Sequence, residues 1–322
     1  MVDRNGQYYP VVDASFDHGV KFPQVTSLIP PGQKNWGDRD FIAVGPDGSV
    51  YVTWDYGPTR NTITYVCASN GSCSFTTGEL NIVIQKSTDG GRSFGPMVHV
   101  SPGYPTSGAD SGPLVVQPNG TIDVLYQDYP TNPSTLALSP GKEYFSSSTD
   151  GGVTWSEPVE VGASAGTMSL QEWWIDGAIG IDSAGDLYAT WDTQGSSSDT
   201  GWLSYSTDHG ASWSTPIQVP ADTDNVPHIV ESAGGGSGIA YVGWLSDNQS
   251  AGYAQYLRTY EIGKGWLDAP AQISTQYGDP SVWPGDTFGI STMSPTQLAL
   301  SWGSATPSTS EIYATTVNAT LP

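Results

Sequence analysis

The sequence predicts an all-β protein, a β-propeller of four-stranded antiparallel blades, and three observations lead to this prediction. Glycine and proline are frequent, with 39 and 24 copies, whereas lysine and arginine together number 10 in 322 residues, which is typical of turns and strands. A short Asp-containing motif recurs along the chain. A two-strand unit with a tight turn recurs between the copies of this motif, which indicates a repeat architecture.

The Asp-containing motif has the pattern S-x-D-x-G and ends in an aromatic residue three positions after the glycine. Its aspartate can accept hydrogen bonds from backbone N–H groups, its glycine can adopt positive φ, and its aromatic ring can anchor the turn. The aspartates of the motif are therefore expected to be structural. The copies are SFDHGVKF (15–22), STDGGRSF (87–94), STDGGVTW (148–155) and STDHGASW (206–213), which contain Asp17, Asp89, Asp150 and Asp208.

The second recurring unit is an apolar strand, a turn and another apolar strand that ends in an aromatic residue. Turns such as Pro-Asp-Gly at 46–48 and Pro-Asn-Gly at 118–120 between alternating runs predict β-hairpins. A third strand follows each hairpin, and in three cases an Asp motif and a short fourth strand come next. The hairpins span residues 40–55, 112–128, 177–192, 227–244 and 287–302.

Four strands per repeat make a propeller blade, and five blades are expected in a single domain over residues 1–322. The fifth blade lacks an outer strand, which residues 20–28 are expected to supply, so that an N-terminal strand closes the propeller. Residues 7–14 could instead form a third strand before the first motif, so six blades, one of them incomplete, are the alternative. The blades are expected at 36–101, 108–162, 170–219, 224–274 and 281–317.

Four such motifs on blade-like repeats resemble the BNR/Asp-box superfamily, whose best-known members are sialidases. The resemblance covers nearly the whole chain as architecture, but the motif is shared by glycan-active enzymes and by proteins without enzymatic activity. In that family the motif lies between strands three and four at the blade periphery. The active site of sialidase-like propellers lies on the opposite face, so the resemblance implies a site away from the Asp motifs.

Strand order indicates which residues reach that opposite face, namely those at the starts of first strands and the ends of second strands. Carboxylates beside aromatic rings suit a sugar, because the ring stacks on Trp while the acids bind hydroxyls. Half or more of these acids are expected only to cap loops. The acids are Asp38, Asp40, Asp55, Asp110, Asp128, Glu172, Asp176, Asp192, Asp247 and Asp286, and the aromatic residues are Trp36, Tyr56, Tyr126, Tyr129, Trp173, Trp174 and Trp283.

A glycoside hydrolase is one hypothesis, in which two of these carboxylates act as acid and as base or nucleophile. Glu172 lies beside two tryptophans and is favoured as the acid, because apolar surroundings raise the pKa of a carboxyl group. The expected catalytic residues are Glu172, Asp176, Asp40, Asp55, Tyr126 and His228. The expected substrate-binding residues are Arg39, Trp173, Trp174, Asp128, Asp192, Trp283, Asp286 and Tyr56.

An exo-sialidase is disfavoured as an alternative. Sialidases hold the substrate carboxylate with three arginines, an arrangement that suits an anionic sugar. Arg39, Arg258 and Arg60 could contribute here, but the last blades offer no convincing third arginine, and the many rim acids would repel such a substrate. A non-catalytic module that binds carbohydrate or protein is another alternative. No motif requires a cofactor, although Ca²⁺ held by aspartates is possible.

The cysteines and the charge indicate an extracellular protein. Cys67 and Cys73, in CASNGSC, predict a local disulfide and hence a secreted or cell-surface location. The net charge of −22 argues against nucleic acid and anionic membranes as partners. No apolar run of about 20 residues is present to span a membrane, and a monomer is expected.

Overall fold

The computed structural model describes residues 2–3, 8–29, 36–57, 64–67, 73–77, 81–102, 107–130, 132, 134, 141–162, 177–194, 199–219, 226–248, 251–285 and 288–319. Within these ranges the regular structure is entirely β-strand, and no helix is long and apolar enough to cross a membrane. The strands are β1 (Val2–Asp3), β2 (Tyr8–Tyr9), β3 (Val11–Ala14), β4 (Gln24–Ser27), β5 (Trp36–Val44), β6 (Val50–Gly57), β7 (Thr64–Cys67), β8 (Cys73–Thr77), β9 (Asn81–Ser87), β10 (Val98–His99), β11 (Ser107–Asp110), β12 (Leu114–Val116), β13 (Ile122–Pro130), β14 (Lys142–Ser148), β15 (Val159–Val161), β16 (Ala178–Ile181), β17 (Leu187–Gln194), β18 (Asp199–Ser206), β19 (Ile217–Gln218), β20 (Val226–Gly234), β21 (Ile239–Asn248), β22 (Gly252–Glu261), β23 (Gly265–Trp266), β24 (Ala271–Gln272), β25 (Phe288–Ser294), β26 (Gln297–Thr306) and β27 (Thr309–Asn318).

Five antiparallel sheets follow one another along the chain, each in the strand order of a propeller blade. The first sheet has the order β5-β6-β9-β10, and in the second β13 pairs with both β11 and β12 and is followed by β14 and β15. The third sheet is β16-β17-β18-β19, the fourth is β20-β21-β22 with β23 and β24 beside β22, and the fifth is β25-β26-β27. The predicted all-β class and five-bladed propeller are confirmed.

The N-terminal strands pair locally. Strand β4 pairs antiparallel with β3, in a register that places Val11 opposite Ser27 and Ala14 opposite Gln24. The hydroxyl of Thr26 donates to the carbonyl of Arg92 over 3.2 Å, which fixes this hairpin beside the Asp motif of the first sheet. The prediction that residues 20–28 complete the fifth sheet is wrong, because among the described strands β4 pairs with β3 in a separate sheet and the fifth sheet consists of β25-β26-β27. A strand before the first motif was the alternative interpretation of this segment.

The chain divides into two compact units, each with its own core. The first unit comprises residues 1–160 and 169–173, and the second comprises 161–168 and 174–322. Tyr51 and Ile122 belong to the main buried cluster of the first unit, and Tyr188 and Val242 belong to that of the second. The prediction of a single domain over residues 1–322 stays a prediction.

An aromatic residue near the end of the second strand of a sheet is a repeated core element. Trp54 and Trp244 are fully buried, and Trp191 and Tyr126 are almost fully buried. Burying a side chain of this size removes 150 Å² or more of mostly apolar surface from water, which is worth roughly 2–3 kcal/mol or more. The recurrent aromatic of the sequence is therefore a packing residue in each of these four sheets.

The four Asp motifs form turns in which the motif serine donates to the aspartate, and in the last three copies a Ser or Thr hydroxyl four residues after the aspartate also donates to it. In the third copy, Ser148 donates to Asp150 over 2.8 Å, and the hydroxyl and N–H of Thr154 donate to the Asp150 carboxylate over 2.6 and 2.9 Å. Donation from Thr154 is the main reason that the pKa of Asp150 is lowered. Each of the four aspartates is exposed and lies between a third and a fourth strand or, for the first copy, between β3 and β4: Asp17, Asp89, Asp150 and Asp208.

Candidate functional site

A carboxyl cluster lies in the first unit, where the first strand of the first sheet is interrupted by a bulge. Asp38 pairs with Asp55 across β5 and β6, and the register shifts before the next pair, Phe41 with Thr53. The extra residues include Arg39, whose backbone is left-handed with φ of 48°. A non-glycine residue in this conformation costs roughly 1 kcal/mol or more, so the surrounding contacts must hold it.

Contacts between the first two sheets hold the bulge. The guanidinium Nε of Arg39 lies 3.4 Å from Oδ1 of Asp110, and both side chains are about nine-tenths or more buried. The backbone N–H of Arg39 donates to Oδ1 of Asp38 over 2.9 Å. The backbone N–H of Ser111, which is also left-handed with φ of 55°, donates to Oδ1 of Asp55 over 2.9 Å. We call Asp38, Arg39, Asp55 and Asp110 the carboxyl cluster.

Burial determines the electrostatics of the carboxyl cluster. Asp55 has no exposed surface, and this burial, with Asp110 as the next cause, raises its pKa well above the usual value for a carboxyl group. Burial also raises the pKa of Asp38, whereas the N–H and guanidinium of Arg39 oppose that rise. The single cation of the cluster thus faces three carboxyl groups, so a fully ionised cluster would be strongly disfavoured.

Only some members of the carboxyl cluster can meet a ligand. Asp55 and Asp110 are 0% and 3% exposed, so the predicted role of Asp55 as a group in contact with substrate does not fit its position. Asp38 is half-buried, and Asp40, two residues further along β5, is exposed. Asp38 therefore combines partial access to solvent with a direct link to the buried charges.

The bulge recurs at the same register position in the second and fourth sheets. Asp110 stands opposite Gln127 and precedes left-handed Ser111, and His228 stands opposite Leu245 and precedes left-handed Ile229, with φ of 47°. His228 is thus the fourth-sheet counterpart of Asp38. Glycine usually marks such a backbone position, and its absence here left no sequence signal for the bulge.

An aromatic cluster surrounds His228 in the second unit. The His228 and Trp283 rings lie 5.8 Å apart at 88°, and the Tyr253 and Trp283 rings lie 5.4 Å apart at 90°. All three side chains are half-buried. The structure thus brings together His228 and Trp283, which the sequence indicates separately, and it adds Tyr253, which no sequence pattern indicates. We call these three residues the aromatic cluster.

Other predicted site residues have different surroundings. Tyr126 is 1% exposed, and its hydroxyl lies 3.2 Å from that of Ser146, so it is a core residue and does not fit the predicted catalytic role. Asp192 is also buried, at 1% exposure, and Asp128 is half-buried on β13. These positions follow from strand alternation, which the sequence alone could not resolve at strand ends.

Tyr56 lies away from the carboxyl cluster. It follows Asp55 on β6, so the two side chains point to opposite faces of the first sheet. Its ring contacts that of His99 edge to face at 6.0 Å, and it lines a groove of about 590 Å³ with Leu28, Gln85 and Met97.

Several predictions fall outside the described residues. These concern Glu172, Trp173, Trp174, Asp176 and Asp286. The backbone pairs Cys67 with Cys73 across β7 and β8, but their side chains also lie outside the description, so the disulfide stays a prediction. The described residues contain no group of three or more side chains suited to hold a metal ion, and a role for Ca²⁺ stays a prediction.

Comparisons with known proteins identify the fold. No protein-family model and no curated protein sequence matches this chain. Solved structures do match: a Dyadobacter fermentans protein of unknown function is 16% identical with a TM-score of 0.63, over 89% of this chain and 80% of that one. The Hadza microbial sialidase Hz136 is 15% identical with a TM-score of 0.51, over 83% and 63%. The Penicillium chrysogenum α-L-arabinanase is 12% identical with a TM-score of 0.50, over 98% and 87%.

These structural similarities establish a sialidase-like propeller fold. At such low sequence identities they show the fold and not the activity. The chain spans less than two thirds of the length of the Hadza sialidase.

Proposed function

We propose that this chain is a glycan-active protein of the glycoside hydrolase type and that Asp38 is one of its two working carboxyl groups. The carboxyl cluster is the observation that carries the proposal. Among its members, Asp38 alone combines partial exposure with a raised pKa. Such a carboxyl group keeps its proton to higher pH than an ordinary aspartate does, and it can donate that proton to a leaving glycosidic oxygen.

Hydrolysis of a glycosidic bond requires a second carboxyl group, as base or nucleophile. Asp40 is exposed on the same strand and is one candidate. The sequence offers Glu172 and Asp176 as others, beside the paired tryptophans 173 and 174. We expect the second group to be one of these three residues.

A neutral glycan is the substrate class that the charges favour. Each arginine that the structure describes is engaged within the protein: Arg39 with Asp110, Arg92 with the carbonyl of Asp89, and Arg258 with the carbonyl of Asp268. The net charge of −22 would also repel an anionic sugar. The arabinanase that shares this fold was solved with arabinobiose, a neutral sugar, which is consistent with this proposal.

The test is hydrolysis of a panel of neutral oligosaccharides, arabinan fragments among them, alongside sialylated glycans. We expect cleavage of at least one neutral glycan. Asp38→Asn should lower kcat at least about 100-fold, because loss of a general acid usually costs 10² to 10⁴ in rate. The free energy of unfolding should change little, since Asn can still accept the Arg39 N–H.

The matched control is Asp13→Asn, which makes the same change at an exposed position on β3. It should leave kcat and KM unaltered. Full activity of Asp38→Asn on every cleaved glycan would refute the assignment of Asp38. Cleavage confined to sialylated substrates would refute the neutral substrate class.

A carbohydrate-binding module without catalysis is the second candidate, and the aromatic cluster favours it. Aromatic rings with polar neighbours are a common way to hold a sugar, whether or not a bond is broken. Binding of glycans without any product after long incubation would support this function. In that case Trp283→Ala should weaken binding at least about fivefold, a loss of roughly 1 kcal/mol.

We also propose an extracellular location. Support comes from the pairing of Cys67 opposite Cys73 in a hairpin, which suits a disulfide, and from the scarcity of lysine and arginine. Mass spectrometry of the protein from its native source would test this, since a peptide that links the two cysteines is expected there.

A further inference from the structure

We propose that Asp55 and Asp110 share one proton in the folded protein and that Asp55 thereby acts as a positioning residue for Asp38. The burial of the two side chains, their hydrogen-bond partners and the charges around them support the shared proton. The positioning role deepens the proposed function and rests on it, because it gives Asp38 the task of a working acid.

Asp55 is incompletely satisfied by ordinary donors. Its Oδ1 accepts the N–H of Ser111, but its Oδ2 receives no hydrogen bond from any N–H or O–H of the described residues. Its side chain has no exposed surface, so this oxygen is shielded from bulk solvent. Asp110 adjoins Asp55, because the N–H of the next residue, Ser111, donates to Asp55 over 2.9 Å, and an interaction with the Asp110 side chain helps to raise the pKa of Asp55. A proton held between the two carboxyl groups would satisfy both of them.

The local charges are consistent with one shared proton. The charged groups that face Asp55 are Asp110 from the second sheet and Arg39 and Asp38 from β5. Two buried carboxylates beside one guanidinium would leave one negative charge uncompensated, and the low dielectric of the interior makes this unfavourable. With one proton on the pair, the Asp55–Asp110 unit carries a single negative charge that matches Arg39.

The fold itself does not require an acid at position 55. The corresponding residues opposite the first strand are Gln127 in the second sheet and Leu245 in the fourth. Both are accommodated by the same bulged geometry. The third sheet also has a buried acid, Asp192, directly after its buried tryptophan. In the first sheet the acid interacts with Asp110, Asp38 and Arg39, which gives it a role in the carboxyl cluster.

A chain of contacts leads from Asp55 to Asp38. Asp55 fixes Asp110 through the shared proton, and Asp110 holds the Arg39 guanidinium at 3.4 Å. Arg39 in its left-handed conformation presents its backbone N–H to Asp38 over 2.9 Å. A substitution of Asp55 is therefore expected to alter the position of Asp38 through these contacts. Asp55 itself has no exposed surface and does not meet the substrate.

The first experiment compares the thermal unfolding of the wild-type chain and Asp55→Asn between pH 4 and pH 9. The raised pKa means that the folded state binds a proton that the unfolded state releases above about pH 4. Wild-type stability should therefore fall relative to Asp55→Asn as pH rises, and the Tm difference should widen in favour of the variant. A variant that is less stable than wild type by a constant amount above pH 5 would show that Asp55 is ionised and would overturn the proposal.

Asp110→Asn is the matched variant. It removes the carboxylate that pairs with Arg39, so it should be destabilised at neutral pH while Asp55→Asn is not. In the proposal, the negative charge of the pair lies on Asp110, beside Arg39. Equal destabilisation by both variants would contradict this assignment.

Infrared spectroscopy with carboxyl-labelled aspartate does not depend on any variant. The wild-type chain at pH 7 should show a protonated aspartic acid absorption, and Asp55→Asn should lack it. Absence of this absorption from the folded wild-type chain would refute the shared proton even if the variant fails to fold.

The positioning role has its own readout. On a cleaved glycan, Asp55→Leu should lower kcat and shift the pH profile with little change in KM, and Asp55→Asn should restore both. An unaltered pH profile in Asp55→Leu would refute positioning. If no glycan is cleaved by wild type, the proposed function fails and the positioning role fails with it, whereas the unfolding and infrared results still decide the shared proton.

Discussion

Gly112 lies so close to Ile82 that a Cβ atom at position 112 would be 2.6 Å from Cγ2 of Ile82. This close approach brings the first strand of the second sheet against β9 of the first. The hydroxyl of Thr53 donates to the carbonyl of Gly112 over 2.5 Å in the same place. Asp110 and Ser111, which contact Arg39 and Asp55, immediately precede Gly112.

Gly112→Ala should therefore destabilise the chain by about 1–3 kcal/mol, the usual cost of an added methyl group in a packed interior. Chemical denaturation at pH 7 measures this change. The control is Gly236→Ala, at a turn where an added Cβ meets nothing within 4 Å, and it should alter stability by less than about 0.5 kcal/mol. Equal effects of the two substitutions would contradict the tight packing at Gly112.

The Arg39–Asp110 pair should show strong coupling in a double-mutant cycle of Arg39→Met and Asp110→Asn. We expect about 1–3 kcal/mol, because both side chains are largely buried and removal of either leaves the other without its opposite charge. The surface pair Glu261–Lys264 gives the comparison, since the Lys264 side chain is 67% exposed. Its cycle should give less than about 0.5 kcal/mol, and a similarly small value for Arg39 and Asp110 would argue against a buried ion pair.

Asp150→Asn should lower the Tm at neutral pH, because the carboxylate accepts hydrogen bonds from Ser148, Val153 and Thr154. The lowered pKa of Asp150 means that its ionised form stabilises the fold above about pH 4 and that this contribution is lost as pH falls below that value. The Tm difference between wild type and variant should therefore shrink between pH 5 and pH 2. The Asp13→Asn variant serves as the comparison, and a pH-independent deficit in Asp150→Asn would contradict the role of the charge.

A disulfide between Cys67 and Cys73 should stabilise the oxidised chain by about 2 kcal/mol, the loop-closure value for a ring of this size. The Tm should fall on reduction, and Cys67→Ser/Cys73→Ser should give the reduced value under both conditions. Free thiols in the folded, oxidised protein, measured by thiol titration, would refute the bond. The variant also separates loss of the bond from other effects of the reductant.

Much of the fold could be predicted from the sequence, because alternation and turn residues are local signals. The Pro-Asp-Gly turn at 46–48 and the Pro-Asn-Gly turn at 118–120 join paired strands as expected. The pairing of β4 was not predictable in this way. Both β3 and the last strands of the chain offered a compatible edge, and only the three-dimensional arrangement chooses between them.

The carboxyl cluster was only partly predictable, because strand order places an acid at a strand end without showing its exposure. Asp38 and Asp55 belong to the same predicted rim, yet one is half-buried and the other has no exposed surface. The left-handed residues Arg39 and Ser111 carry no glycine signal. Tyr253 was missed because its contact with Trp283 joins two segments that no motif relates.

The recurring bulge separates backbone shape from side-chain chemistry. Arginine, serine and isoleucine all occupy its left-handed position, at residues 39, 111 and 229, so no particular side chain is needed to make the bend. The residue just before it is free to differ, and it is Asp38, Asp110 or His228 in the three sheets. The recurring bulge thus provides equivalent positions in several sheets. An acid, a base or a ligand-binding residue can be substituted there without a change in the strands.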